Sequence, residues 1–239
     1  MNIGFLTSEY PHNNTGSSGG IGTSIKNLAD ALTELGHRVT VFVYGQAADD
    51  EFSDGPIRIA QIQNVRYNGL SWYLTRKKIQ NVINKQVIGK QLDIIEAPDW
   101  TGITAFMRLK CPLVIKLHGS DTYFCHFDKR PVRFRNFFLE KKALGSADAH
   151  ISVSAFSAET TNRIFKQKLE YEVIPNGIRL PGYKYLEKPA DELQINNKIL
   201  YAGTLIRKKG VLELPLIFNE VFKLNKSAEL IIAGGDTPD

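Results

Sequence analysis

The sequence predicts an α/β protein: a first domain with a mostly parallel sheet and helices on both faces, then the first βαβ unit of a second domain. Three observations predict it. Short apolar runs alternate with stretches of helical spacing from the first residues onward. Asn2-Ile-Gly-Phe-Leu, a helical stretch and Arg38-Val-Thr-Val-Phe-Val together read as one βαβ unit. The alternation breaks over residues 181–197 and starts afresh at Lys198.

Ile3–Ser8 is the first strand, and a glycine-rich loop follows it. Ile21, Ile25, Leu28, Leu32 and Leu35 then recur at helical spacing, and Gly36 closes that helix at C′. Val39–Tyr44 is the second strand and Ile57–Ile62 a further one. Ser71–Lys90 reads as a helix, Leu92–Glu96 as a strand ending at Ala97-Pro98, and Thr101–Leu109 as a helix. Pro112–Leu117 is a buried strand. Val132–Leu144 is a helix, Ala149–Val153 a strand and Ala155–Phe165 a helix; Glu172–Ile174 leads into Pro175-Asn176-Gly177. Such alternation builds a parallel sheet whose ligands sit at the carboxyl ends of its strands.

Residues 181–197 hold Pro181, Gly182 and Pro189, mixed charge and no periodicity. They read as a linker between a domain over 1–180 and an incomplete one over 198–239. In the latter, Lys198–Ala202 and Glu229–Ala233 are strands and Val211–Leu224 is the helix between them. Pro215 suits that helix only near its first turn. One βαβ unit leaves long sheet edges and an uncovered face, so it is the start of a domain.

Composition narrows the classes. The 239 residues are 43% hydrophobic, ordinary for a chain with a developed core. No apolar run approaches the roughly 20 residues that cross a bilayer. The N-terminus lacks the charged n-region and long h-region of a signal peptide. Cys111 and Cys125 are the only cysteines, which makes no disulfide framework and points to a reducing cytoplasm. The net charge of +5 suits polyphosphate ligands or an anionic membrane face, or is simply a basic surface. No nucleic-acid motif is present, so nucleic acid is not an expected partner.

Candidate chemistry lies where strands end. In Gly16-Ser-Ser-Gly19-Gly20-Ile21-Gly22, glycines let backbone N–H groups approach an anion at a helix N-terminus. A dinucleotide fingerprint would place them directly after the strand, with an acid near the end of strand two. Here about ten residues intervene, and strand two ends Val43-Tyr44-Gly45, which argues against a dehydrogenase. Lys116-Leu-His118-Gly-Ser-Asp121 leaves a buried strand. His118 there is either structural or a group that binds a sugar hydroxyl or moves a proton. His118, Cys125 and His126 match no zinc spacing.

Ser154 is either a site residue or the N-cap of the helix after it. Asn176 lies in a Pro-Asn-Gly turn and matters through its place at a cleft edge. Ile199–Gly210 runs from a strand through a glycine turn into Arg207, Lys208 and Lys209 ahead of a helix, an arrangement that suits a pyrophosphate. Lys129–Phe138 mixes cations with aromatics. It reads as an amphipathic helix with a wet basic face, or as a membrane-surface segment.

Seven segments together resemble the retaining glycosyltransferases of family 4, which have the GT-B fold. They are Ile3-Gly-Phe-Leu-Thr-Ser-Glu-Tyr-Pro, Gly19-Gly-Ile-Gly22, Leu35-Gly-His-Arg-Val-Thr-Val, His118-Gly-Ser-Asp121, Ala147-Asp-Ala-His-Ile-Ser-Val-Ser154, Val173-Ile-Pro-Asn-Gly-Ile178 and Tyr201-Ala-Gly-Thr-Leu-Ile-Arg-Lys-Lys-Gly-Val211. They stand in the family's order. Leu230-Ile-Ile-Ala-Gly-Gly-Asp236 resembles its second C-domain strand. The resemblance implies two Rossmann-like domains facing a cleft, the N-terminal one taking the acceptor and the C-terminal one most of the nucleotide sugar.

By position, the resemblance gives Gly19, Gly20 and Gly22 a contact with donor phosphates or acceptor, His118 a contact with the transferred sugar, and Lys209 a pairing with the diphosphate. The family commonly has Arg right after the turn glycine, where this chain has Thr204; Arg207 is expected to supply that cation. Asp121, Ser154 and Asn176 fall on the acceptor side or in the cleft. No metal or other cofactor is implied. The implied partners are a nucleotide sugar and an acceptor carbohydrate or lipid. The implied location is cytoplasmic, with peripheral contact to the inner membrane face. The family's paired-glutamate motif lies further along than Asp239, which implies a fragment with little or no turnover of its own. The alternative, from another class, is a non-catalytic sugar- or nucleotide-binding fragment completed by a partner chain.

Overall fold

The computed structural model describes residues 1–16, 18–178 and 197–235, in two compact units, Met1–Arg179 and Leu180–Asp239. The first unit is built on an eight-stranded sheet. In chain order its strands are β1 (Asn2–Thr7), β2 (Arg38–Gln46), β3 (Asp50–Asp54), β4 (Ile57–Gln63), β5 (Ile94–Pro98), β6 (Leu113–Leu117), β7 (Ala149–Ser152) and β8 (Glu172–Val173). In space the order is β3-β4-β2-β1-β5-β6-β7-β8. Neighbours run parallel except β3, which pairs antiparallel with β4 at one edge. The sequence reading missed β3, because Asp-Glu-Phe-Ser-Asp is acidic and short; its partner β4 supplies the ladder that propensity does not.

Helices cover both faces. α1 (Gly20–Glu34) lies over one, where Phe5, Val41, Ile59, Ile25 and Ala29 form a buried cluster. The other face carries α2 (Ser71–Ile88), α4 (Phe134–Leu144) and α5 (Ala155–Phe165), with Leu6, Phe42, Ile79, Ile95, Leu139 and Phe165 among its buried residues. Alternation along β1 sends Phe5 to the first cluster and Leu6 to the second. Each such side chain, fully buried, contributes about 1.5–3 kcal/mol. α1 spans only part of its face. Over β5, β6 and β7 that face continues as an open trough of about 510 Å³, bearing Ile94, Glu96, Val114, Lys116 and Ile151.

Two expected elements differ here, and one appears that was not expected. Thr101–Leu109 is not a helix: Trp100–Gly102 forms one 3₁₀ turn, and turns follow to Phe106. Thr101, Gly102 and Phe106 have φ of 54°, 56° and 63°. The cause is tertiary. A Cβ on Gly102 would overlap the Leu139 carbonyl of α4, so the turn presses directly on that helix. The buried Arg76 of α2 donates to the carbonyls of Thr101 and Gly102 at 3.3 and 3.1 Å, withdrawing them from any helical ladder. The helix expected from Val132 begins at Phe134, and α3 (Asp121–Phe127), not foreseen, precedes it.

The second unit holds β9 (Lys198–Ala202) and β10 (Glu229–Ala233), paired in parallel with Lys198 opposite Glu229. Between them come a 3₁₀ turn at Arg207–Lys209 and α6 (Leu214–Leu224). α6 starts three residues later than expected, which leaves Pro215 in its first turn, where the missing N–H costs nothing. The linker expected over 181–197 lies outside the described residues except for Asn197.

Candidate active site

The sheet reverses its winding between β1 and β5. β1 leads through α1 to β2 on one side, while β5 lies on its other side. Ligands of open α/β sheets bind at the carboxyl ends of strands at such a point. The glycine loop leaves β1 there. Gly19 is the N-cap of α1 and has no side chain to cap it. Glu9 does so instead: its carboxylate accepts Gly19 N–H and Gly22 N–H, each at 2.9 Å. An internal anion therefore occupies the amides of Gly19 and Gly22 that were expected to face a ligand phosphate.

The two inner glycines differ in surroundings. A Cβ on Gly22 would overlap Ser18 Oγ and stand 2.8 Å from the Glu9 carbonyl, whereas one on Gly20 would meet nothing within 4 Å. The near limb of the loop is anchored by Tyr10. Its ring is fully buried, its hydroxyl donates to Asp54 Oδ2 at 2.8 Å, and its carbonyl accepts Thr15 Oγ1 at 2.6 Å. Lys26 joins Asp54 and Asp30 at 2.9 and 3.0 Å.

Asp99 follows β5 and is buried. Its carboxylate accepts the backbone N–H of His118 at 3.1 Å and of Gly119 at 3.2 Å, at the exit of β6. Gly119 has φ 101°, a conformation that favours glycine. Burial pushes the Asp99 carboxyl up to about 7 against those two N–H groups. Burial, with the Lys116 charge adding to it, pushes the His118 ring down to about 4. At neutral pH the ring is uncharged and offers one donor and one acceptor nitrogen.

Asp121 opens α3, and its carboxylate accepts Asn136 Nδ2 from α4 at 2.7 Å. The buried Glu140 of α4 accepts Asp121 N–H and Thr122 N–H at 3.1 and 3.2 Å, capping α3 from below. Asp121 thus ties two helices together. Ser154 is the N-cap of α5, its Oγ accepting Ser157 N–H at 3.1 Å. Asn176 is exposed in the segment after β8. Among the described residues no three His, Cys, Asp or Glu side chains form a metal-holding group.

In the second unit, β9 runs into Gly203. Tyr201 Oη donates to the Thr204 carbonyl at 3.2 Å and closes the turn. Lys209 folds back over it: a Cβ on Gly203 would lie 3.7 Å from Lys209 Nζ. Lys209 and Arg207 are exposed.

The carboxyl edge of the first unit thus gathers the glycine loop, His118, Ser154 and Asn176, on the exits of β1, β6, β7 and β8. Sequence reasoning missed Glu9, Asp99, Arg76 and Glu140. Asp99 had a signal, since it follows Pro98 at a strand's carboxyl end. The others reach partners far along the chain or fold back on a loop, and no spacing announces that.

The first unit is Rossmann-like and the second holds one βαβ unit, the fold class of GT-B glycosyltransferases. Residues 18–180 match the model of Glycosyltransferase Family 4, and the chain belongs to that family. It is 25% identical over 250 residues to the alpha-monoglucosyldiacylglycerol synthase of Acholeplasma laidlawii, covering 92% of this chain and 60% of that one. It is 31% identical over 160 residues to the putative teichuronic acid biosynthesis glycosyltransferase TuaC of Bacillus subtilis, covering 61% of this chain and 39% of that one. The chain therefore spans about 40–60% of the length of these curated relatives. Among solved structures, the catalytic domain of starch synthase IV from Arabidopsis thaliana, bound to ADP and acarbose, superposes with a TM-score of 0.60. It is 14% identical, with 99% of this chain and 69% of that one covered.

Proposed function

We propose that this chain belongs to a retaining glycosyltransferase that moves a sugar from a nucleotide-sugar donor to an acceptor carbohydrate or lipid without a metal ion. The observation that carries the reading is the position of His118, its backbone N–H held at the carboxyl edge by Asp99, two strands from the glycine loop. In this reading residues 1–180 take the acceptor and 198–239 begin the donor side, with 181–197 linking them. The names of the relatives above, a diacylglycerol glycolipid synthase and a teichuronic acid glycosyltransferase, support an acceptor of the lipid or glycan class. A cytoplasmic location with peripheral contact at the inner membrane face goes with it.

The reaction breaks the bond from the sugar's anomeric carbon to the diphosphate and forms one to an acceptor oxygen on the same face. The leaving diphosphate gains negative charge, and one of its oxygens takes the proton that the acceptor hydroxyl loses. Lys209 and Arg207 stabilise the leaving group, a role that elsewhere falls to a divalent cation. Uncharged His118 hydrogen-bonds the transferred sugar. Gly20, open above α1, lets donor or acceptor approach, while Gly19 and Gly22 shape the loop around Glu9. Asn176 borders the acceptor side; Asp121 and Ser154 hold its walls. Since these residues cover about 60% of a full-length relative, little turnover is expected from them alone.

Calorimetry with UDP, GDP and ADP, and NMR of the sugar product, test the reading. It expects nucleoside diphosphate binding, a product with the donor's anomeric configuration from the full-length protein, and rates unchanged by EDTA. Carbohydrate binding with no nucleotide binding would support the non-catalytic alternative. An inverted product, or EDTA inactivation reversed by magnesium, would sink the retaining or the metal-free part.

A further inference from the structure

From His126 to Arg135 every residue is exposed, an unbroken ten-residue stretch that links α3 to α4. It holds four cations, Lys129, Arg130, Arg133 and Arg135, and one carboxylate, Asp128, which Arg130 already takes at 3.0 Å. Exposed aromatics stand among them. Phe134 is 82% exposed, and it stacks with Phe138 at 6.4 Å one turn further along α4. Phe127 and Phe156 pair at 5.9 Å, both about half exposed. His126, Lys129, Arg130, Val132, Phe134 and Phe137 line one open pocket of about 620 Å³, so the cations and the apolar groups share a surface.

A solvated basic face needs no exposed phenylalanines, and four cations with one carboxylate among them draw the segment to an anionic surface. The two together match an interface with an anionic plane above and hydrocarbon below. We propose that the segment from His126 to Phe138 docks on anionic phospholipid. Lys129, Arg133 and Arg135 meet the headgroups, and Phe134 with Phe138 enters the acyl boundary. This deepens the peripheral-membrane part of the proposed function and rests on that reading for its meaning, though the docking is testable without any turnover. It would present the carboxyl edge of the sheet, where α3 begins, to an acceptor held in the lipid.

The test is flotation of the 239-residue chain with vesicles of phosphatidylcholine alone or with about a third phosphatidylglycerol. Binding to the anionic vesicles only, lost in high salt, is expected. Each cation near such a surface is worth about fivefold in partitioning, so Arg133→Ser with Arg135→Ser should weaken binding roughly 25-fold. Phe134→Ser should weaken it roughly tenfold. These residues are exposed, and unchanged circular dichroism and melting will confirm folding. Equal binding to neutral vesicles, no binding, or variants that bind like the parent would overturn the proposal. So would self-association or RNA binding that the same variants abolish while vesicle binding is absent. Nucleotide calorimetry on the same samples separates the readings: its failure with vesicle binding intact counts against the transferase reading alone.

Discussion

Asp99 Oδ1 accepts the backbone N–H of His118 at 3.1 Å, while the second oxygen holds Gly119 at 3.2 Å. One buried carboxyl after β5 thereby fixes the path of the chain as it leaves β6. Asp99→Asn keeps one acceptor and turns an NH₂ toward the other amide. It is expected to lose about 1–3 kcal/mol of stability and to slow transfer by displacing His118. Urea unfolding checks the first part, and a wild-type midpoint would contradict it.

The same pair sets opposite pH dependences. The folded chain lowers His118 from 6.5 to about 4. The unfolded chain binds more protons in that window, so the contribution of His118 is present above 6.5 and lost as pH falls through 4. The folded chain raises Asp99 from 3.8 to about 7; its contribution is full below 3.8 and lost as pH rises through 7. His118→Gln removes the first effect alone. Relative to wild type it should gain up to about 3 kcal/mol as pH falls from 6.5 to 4. Parallel urea profiles across that range would rule this out.

The glycine loop offers a steric contrast. Gly22→Ala puts a methyl into Ser18 and the Glu9 carbonyl, and is expected to cost about 1–3 kcal/mol. Gly20→Ala meets open space at the start of α1 and should be neutral or stabilise by up to about 1 kcal/mol. Equal effects in thermal melts would remove the argument.

Arg76 serves three carbonyls, those of Trp72, Thr101 and Gly102, with its Nε buried and unpartnered. Lysine has no planar fork to reproduce this. Arg76→Lys is therefore expected to destabilise by about 2 kcal/mol or more, chiefly by loosening the 3₁₀ turn under α4. Hydrogen exchange at Ile103–Met107 should rise with it; unchanged protection there would contradict the role.

In the second unit, Lys209→Ala removes the ammonium above the Gly203 turn. Nucleoside diphosphate affinity should fall roughly tenfold or more, as for a charge-assisted hydrogen bond. Calorimetry with UDP, GDP and ADP decides it, and equal affinity in the variant would remove Lys209 from the donor site.

Strands with strong apolar alternation and helices with clear spacing, such as Ile25 and Ala29 in α1, were legible because local pattern and burial agree there. Thr101–Leu109 was not, since its backbone answers to Arg76 and Leu139 from distant elements. β3 was not, since its pairing comes from β4. The placement of His118 at the exit of a buried strand was legible. Glu9 was not: a carboxylate inside a loop that looked built for phosphate is visible only once the loop is folded.

The acidic β3 has a consequence for crowded solution. It ends one edge of the first unit's sheet with Asp50, Glu51 and Asp54, and the other edge ends in β8, only two residues long. Neither rim offers a long uncharged ladder on which a stray strand from another molecule can zip. At high concentration, cross-β aggregation seeded from this sheet is disfavoured, whereas the two described strands of the second unit, with Leu200 and Ile232 exposed, carry no such charge on their inner positions.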